Sequence, residues 1–302
     1  MDEKKRARWL DVLYLAMVIV PFILCMALKI ATTPASEGIT VTGAHVYFII
    51  QMPFAGPAAF STLPITESQV NSWAVMIALL GLCLYLTNGI RVIPGSRRQV
   101  IAELIVEKAQ NFVNDNMGKR FAAFAPFVAA IMGLSAFSSL SSLLGLYPPT
   151  SDLNVVAGWA ILVFCLITYY KMKGGFVNYL KGFADPIPVF APFNVISELA
   201  TPISMAFRHY GNVLSGVVIS TLVAAGLQGL SSMVLGWLPG FLGEIPFLQV
   251  GLPAVLSLYF DLFSGCLQAF IFAMLTMLYI SNGFPEEAYE ARQARKSKAK
   301  LA

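Results

Sequence analysis

The chain has 302 residues, of which 57% are hydrophobic and 12% are charged, and its formal net charge is +4 at pH 7. Soluble globular domains are about 45–50% apolar and about 25% charged, so the composition excludes that class and predicts an all-α polytopic membrane protein. The four cysteines lie inside apolar runs without paired spacing, which argues against disulfides or a metal site. We predict no metal, no cofactor and no nucleic-acid partner.

The predicted elements begin with residues 1–93, which contain two N-terminal transmembrane helices. Apolar runs without charge, from Trp9 to Leu28 and from Ser72 to Ile90, are long enough to cross a bilayer. An ordered exocytoplasmic loop, residues 31–71, joins them. The first run could instead belong to a secretory signal, but it exceeds the about 7–15 residues of such a region and no clean small-residue cleavage site follows.

Residues 94–302 form the second predicted region. In chain order it contains an interfacial helix at 97–119, transmembrane spans at 121–147 and 153–170, long helices at 194–235 and 253–281, and a cytoplasmic tail at 282–302. The first long helix would measure roughly 60 Å at about 1.5 Å per residue, against a hydrocarbon core of about 30 Å. It must therefore lie steeply inclined or break, and Pro202 within it permits a bend. We expect the last two helices to form an inclined pair.

The segment between the second and third spans has an amphipathic pattern. Its apolar residues recur at helical spacing, and they are Val100, Ile101, Leu104, Ile105 and Phe112. This pattern predicts a helix that lies in the membrane interface with its apolar face toward lipid. A surface helix packed on the bundle would have nearly the same pattern, so both interpretations stay open.

The distribution of basic residues predicts the orientation of the chain. If the N-terminus is cytoplasmic and each segment crosses once, every Lys and Arg except Lys29 and Arg208 falls on the cytoplasmic side. Lys29 lies at a helix end, where its long side chain can reach the interface. The pattern therefore predicts six crossings with both termini in the cytoplasm.

Arg208 is the residue on which the functional prediction depends. A charged side chain at mid-bilayer costs about 2.5–3.5 kcal/mol on insertion scales, and a guanidinium stays charged in proteins, so it needs an anionic or hydrated partner. Polar residues share its helix face, and they are Thr201, Asn212 and Ser215. The last helix has a similar stripe of Ser257, Asp261, Ser264 and Gln268. Two facing polar stripes predict a hydrated path or a hydrogen-bonded seam, and an arginine that only ties helices together is the structural alternative.

Three sequence blocks resemble subunit a of the F-type ATP synthase. They are "PPTSDLNV" at Pro148 to Val155, "ISELATPISMAFRHYGNVLSG" at Ile196 to Gly216, and "LQAFIFAMLTMLYIS" at Leu267 to Ser281. The resemblance implies the stator ion-channel subunit of a rotary motor, not catalytic alone, in the inner membrane of a bacterium. It further implies two aqueous half-channels for H⁺ or Na⁺ against a ring of c subunits. The implied partners also include the peripheral stalk subunit b, near which we expect the first helix, and the rest of the F1Fo complex.

The resemblance also implies roles for individual residues. Arg208 matches the essential stator arginine of the family, and Asn212 and Gln268 match its two usual companions. His209 departs from the family pattern, and so does the next residue. We interpret His209 mainly as a packing residue, with help to Asp261 as the functional alternative.

The sequence departs from the family again at the expected ionisable groups of one half-channel. Many members carry a Glu and a His at the places that Val217 and Asp261 occupy here. We hypothesise that Asp261 alone supplies the ionisable group of that half-channel. The alternative is that Asp261 only accepts hydrogen bonds and never changes its protonation.

Glu198 is the candidate acid of the other half-channel. It precedes Arg208 by about three helical turns and is expected to line a path to the cytoplasm. An acid in the first turn of the helix, favoured there by the helix dipole, is the alternative. The secondary candidates for either path are His209, Ser215, Ser264 and Thr201.

Two other functional classes compete with this prediction. A secondary transporter or channel could use Arg208 to bind an anionic substrate, but such proteins carry inverted repeats and broken helices, and the sequence indicates neither. An intramembrane enzyme would need a nucleophile with a base, paired aspartates or a histidine-rich metal site. The chain has two distant histidines and one carboxylate on its last transmembrane helix.

Overall fold

The computed structural model describes residues 3–32, 43–51, 62–92, 95–184, 187–235 and 251–301. Six helices in this part of the chain are long and apolar enough to cross a membrane. The helices are α1 (Glu3–Thr32), α2 (Glu67–Thr87), α3 (Arg97–Met117), α4 (Ala125–Ser141), α5 (Leu153–Met172), α6 (Phe176–Phe183), α7 (Ala191–Leu235), α8 (Leu252–Ser257), α9 (Gly265–Gly283) and α10 (Glu286–Leu301). The predictions of an all-α polytopic protein and of six membrane-spanning segments are confirmed.

A small hairpin precedes α2. Strand β1 (Val46–Gln51) pairs antiparallel with strand β2 (Thr62–Thr66). Both lie in the predicted loop at 31–71, of which residues 33–42 and 52–61 lie outside the described part. Helix α2 already begins at Glu67, before the predicted start. The side chain of Gln69 accepts a hydrogen bond of 3.4 Å from the backbone N–H of Thr66, and this bond stabilises the first turn.

Helix α1 is fastened to its neighbours near both of its ends. Near its N-terminus Asp11 accepts a hydrogen bond from Arg98 at 2.7 Å, and near its C-terminus Lys29 lies 3.0 Å from the carboxylate of Glu67. At about 1.5 Å per residue, the helix between Asp11 and Lys29 is about 27 Å long. This length is close to the about 30 Å of a hydrocarbon core, so the two ion pairs suit the two membrane interfaces.

Helix α7 is one unbroken α-helix of 45 residues. At about 1.5 Å per residue it is about 67 Å long, roughly twice the thickness of the hydrocarbon core. Pro202 removes one backbone hydrogen bond without ending the helix. The alternative of a broken helix is therefore wrong, and the length of α7 requires inclination.

The sequence predicts one long helix at 253–281. The structure differs, because this last transmembrane segment is not a uniform α-helix. Between α8 and α9 the residues Leu258–Ser264 form a π-helix, a rare form that is frequent at functional sites. Two glycines let neighbouring helices approach here, because a side chain at Gly216 would meet Phe260 and one at Gly265 would overlap Ser139. Close packing on both sides thus accompanies the wider turn.

Apolar side chains from α3, α4, α5, α7 and α9 form the main core. Its most buried members include Val113, Phe272, Ala273, Met277 and Ile280. In α3 only the C-terminal part joins this core, whereas the apolar residues of its first half are exposed. This distribution favours the interfacial interpretation of α3.

The region after the last span contains a helix that the sequence did not predict. Residues 282–302 were expected to be a tail, but α10 occupies most of them. Arg120 holds its first turns, with Nη1 and Nη2 each 2.9 Å from the carboxylates of Glu286 and Glu290. These two exposed ion pairs join α10 to the end of the bundle.

Candidate ion path

Arg208 lies on a face of α7 that the described part of the chain leaves open. Its side chain is exposed, and so are Ile203 and Phe207 beside it. Among the residues that the structure describes, none makes a hydrogen bond or an ion pair with the Arg208 guanidinium. Within the described residues, this cation therefore stands on an exposed helix face without a counter-charge.

The structure brings Asn212 and Gln268 together. Asn212 Nδ2 donates a hydrogen bond of 3.0 Å to Gln268 Oε1, and Gln268 is only 2% exposed. Asn212 lies one helical turn after Arg208, so this bond ties α9 to α7 beside the arginine. Ser215, one further turn along, is exposed and donates to the carbonyl of Asn212 at 3.0 Å.

Asp261 lies within the π-helix and is partly buried. The hydroxyl of Ser257 donates a hydrogen bond to Asp261 Oδ2, and Ser264 is also partly buried. The π-helical turn is wider than an α-helical one, so these residues do not share a simple α-helical stripe with Gln268. In the described ranges, neither Arg208 nor His209 contacts the Asp261 carboxylate.

His209 points into the bundle, away from the face that carries Arg208. It is fully buried, and its ring packs edge-on against Trp159 and Phe272, with centroids 6.0 and 5.6 Å away. Its Nε2 lies 3.3 Å from the hydroxyl of Ser135. This environment favours the packing interpretation of His209.

Glu198 pairs with a cation that the sequence analysis did not single out. Lys171 Nζ lies 2.9 Å from Glu198 Oε2, and Tyr179 donates to Oε1 at 3.3 Å. Because α7 begins at Ala191, Glu198 stands beyond the first turn, and the helix-dipole alternative is wrong. Burial is the main cause that raises the pKa of Tyr179, and the nearby negative charge of Glu198 raises it further. The phenol is therefore a neutral hydrogen-bond donor at pH 7.

A polar cavity opens beside this ion pair. It has a volume of about 430 Å³, and Glu198, Lys171 and Thr201 line it on the α5 and α7 sides. A second cavity of about 40 Å³ shares these three residues and reaches Tyr279 on α9. The Thr201 hydroxyl donates to the carbonyl of Ser197 at 3.0 Å. Together the cavities lead from the N-terminal part of α7 toward the bundle interior.

Buried serines on α4 form a second polar region that sequence reasoning missed. Four of them have almost no exposed surface, namely Ser135, Ser138, Ser139 and Ser141. In the described residues, the hydroxyls of Ser139, Thr150 and Ser151 and the Nδ1 of His209 have no hydrogen-bond partner. Buried polar groups of this kind are usually satisfied by water. The run "SAFSSLSS" was the available sequence signal.

Comparisons with known proteins agree with the three sequence blocks. The profile of the ATP synthase A chain family matches residues 69–281. ATP synthase subunit a 1 of Crocosphaera subtropica is 33% identical over 71% of this chain and 85% of its own length. ATP synthase subunit a of Legionella pneumophila is 29% identical over 81% of this chain and 97% of its own length.

A third relative has an ion specified in its name. The sodium ion specific ATP synthase subunit a of Propionigenium modestum is 27% identical over 82% of this chain and 88% of its own length. The family profile spans more than half of the chain, and its matched range contains Arg208, Asn212, Asp261 and Gln268. This protein therefore belongs to the ATP synthase A chain family.

Proposed function

We propose that Arg208 is the fixed charge against which the rotor of the ATP synthase turns, and that the polar groups on either side of it line two half-channels. As a family member the protein is the stator ion-channel subunit of the membrane sector. One observation carries the proposal for Arg208: a guanidinium within a membrane span needs an anionic or hydrated partner, and the described residues of this chain provide no anion for it. In this proposal a second protein provides the anion.

A rotor carboxylate is the partner that fits Arg208. A fixed cation within a few ångströms favours the ionised form of an arriving carboxylate, which then releases its proton or sodium ion. The same charge repels free cations and so prevents a leak between the half-channels. Each elementary charge that crosses 100 mV delivers about 2.3 kcal/mol, and rotation of the ring passes this energy on.

The cavity beside Glu198 is proposed as the cytoplasmic half-channel. Its ionisable pair, Glu198 and Lys171, is joined by the Tyr179 hydroxyl, and its polar lining can hold water. Thr201 continues the polar lining toward Arg208. In this proposal Glu198 passes the ion between the cavity and the rotor site.

Glu198→Gln is expected to slow ATP-driven pumping by about a hundredfold, the lower end of what a positioned proton-transfer group contributes. The measurement is fluorescence quenching in inverted vesicles at matched amounts of complex. The discriminating control is the double variant Lys171→Gln with Glu198→Gln, which removes both charges of the pair. If the pair only holds the helices together, the double variant regains pumping, and recovery would contradict the proposed relay.

The outer half-channel is proposed to pass the buried serines of α4 and to reach the rotor at Asp261. The unpartnered hydroxyl of Ser139 beside Gly265 supports water on this route. The hydrogen bond from Ser257 holds the carboxylate of Asp261 in place. Asp261 and Glu198 then lie on opposite sides of Arg208 along the ion path.

Asp261→Asn tests the outer path, because it keeps the size and the hydrogen bond with Ser257 while removing the ionisable group. We expect roughly a hundredfold less ATP-driven pumping in inverted vesicles. Ser257→Ala is the matched control, since it removes the hydrogen bond but leaves the carboxylate, and it should reduce pumping only several-fold. Undiminished pumping by Asp261→Asn would leave Asp261 as a hydrogen-bond acceptor only.

The open surfaces support the proposed partners. We propose that the exposed face of α7 around Arg208 meets a ring of c subunits and that α1 lies near the peripheral stalk subunit b, within a complete F1Fo complex. The basic loops support cytoplasmic termini, and the location that we propose is the inner membrane of a bacterium. A secondary transporter that binds an anion at Arg208 would require a broken helix, and α7 is continuous.

A further inference from the structure

A cavity with a basic lining lies between α6 and α10. Its volume is about 490 Å³, and its lining includes Gly174, Phe176, Val177, Lys181 and Arg292. In the described part of its lining there is no Asp or Glu. The cavity therefore presents two cations that no acid of the same lining neutralises.

Arg292 is held at the edge of this cavity by the backbone. Its Nη1 donates a hydrogen bond of 3.2 Å to the carbonyl of Lys173, which leaves the other N–H groups of the guanidinium available. Lys181 is exposed on α6. Two cations on different helices can thus approach one anion from two sides.

The apolar surface beside these cations is continuous with the membrane span. Helix α6 follows α5 after a short turn, and its residues Phe176 and Val177 are 63% and 66% exposed. Leu180, one turn further, is exposed as well. A short helix with exposed apolar residues next to a lysine has the pattern of a helix that lies in the membrane interface.

The charge of α10 increases toward its C-terminus. Of its three acids, Glu286 and Glu290 are engaged by Arg120, and Glu287 does not line the cavity. From Arg292 onward the sequence "RQARKSKAKLA" carries five basic residues and no acid. Clusters of this kind beside a span are typical of proteins that bind anionic lipid.

We propose that this cavity binds the headgroup of an anionic phospholipid in the leaflet beside it. The phosphate lies between Lys181 and Arg292, and the acyl chains lie along Phe176 and Val177. A soluble phosphate would satisfy the two cations but would leave the apolar residues exposed to water. The combination of cations and apolar surface therefore fits a lipid better than a free anion. In this proposal the cavity selects lipids by the charge of their headgroup and not by its size.

The first test uses the unaltered complex. Purified ATP synthase in neutral detergent is labelled with a photoactivatable phosphatidylglycerol or with the matched phosphatidylcholine, and mass spectrometry locates the label. Phosphatidylglycerol should label the peptide that carries Phe176 and Val177 at least about fivefold more, since a Lys or Arg near the surface contributes about that factor. Equal labelling by both lipids overturns the proposal. Displacement of the label by millimolar glycerol phosphate would assign the site to a soluble anion instead and would overturn it too.

The second test separates this site from general surface charge. The double variant Lys181→Gln with Arg292→Gln should lower the phosphatidylglycerol label about 25-fold, about fivefold for each cation. The charge-matched control is Lys108→Gln with Lys119→Gln, which removes two exposed cations of the same membrane side outside the cavity. An equal loss of label in both pairs would overturn the proposal. If the first pair assembles poorly, Lys181→Gln alone should still lose about fivefold, and an unchanged label would again refute the site.

Discussion

Replacing Arg208 with Gln is expected to abolish ATP-driven ion pumping and ion-driven ATP synthesis while the complex still assembles. The side chain is exposed and has no partner in the described part of the chain, so its loss costs the fold of this subunit little. A cation about 4 Å from a carboxylate at an effective dielectric of about 20 is worth about 4 kcal/mol. Loss of this attraction corresponds to a roughly thousandfold lower rate of ion transfer.

The measurement is ATP-driven fluorescence quenching in inverted vesicles, together with ATP synthesis after an imposed gradient. Co-purification of the c ring with the Gln variant shows that assembly is intact. Lys108→Gln, which removes a cation from exposed α3, is the control for general charge and should pump normally. Coupled synthesis by Arg208→Gln would rule out the fixed-charge mechanism.

Lys29→Met is expected to destabilise the subunit strongly. Glu67 is 5% exposed and Lys29 33% exposed in their ion pair, and Lys29 also donates to the carbonyl of Gly145 at 2.7 Å. Removing one partner of a buried pair costs about 3–5 kcal/mol. We expect about 2–3 kcal/mol here, because Lys29 is partly solvated and Glu67 keeps the N–H of Tyr147 as a donor at 3.2 Å.

The reverse change should cost less, and this difference tests the cause. Glu67→Gln leaves a lysine that can reach the interface, and the double variant leaves no buried charge. Both should therefore melt at higher temperatures than Lys29→Met when loss of assembled complex is followed against temperature. Lys119→Met, at an exposed site, serves as the comparison for the loss of one lysine. If Lys29→Met melts with the unaltered protein, the ion pair does not stabilise the fold.

The amino-acid sequence by itself determined the six spans, the helical class and the position of Arg208. In a bilayer each crossing segment must form its own backbone hydrogen bonds and must be apolar for about 20 residues. These features can therefore be predicted from short stretches of the sequence. The shared face of Arg208 and Asn212 follows from helical periodicity alone. The prediction that this face lies opposite the polar stripe with Gln268 agrees with the 3.0 Å hydrogen bond from Asn212 to Gln268.

Only the tertiary structure decided which residues meet across the bundle and which way a side chain points. The pairs Lys29 with Glu67 and Lys171 with Glu198 join separate helices, and no local pattern marks such partners. The π-helix at Leu258–Ser264 accompanies the close packing at Gly216 and Gly265. Helical periodicity describes one helix at a time, whereas these features arise from the surfaces that two or more helices present to each other.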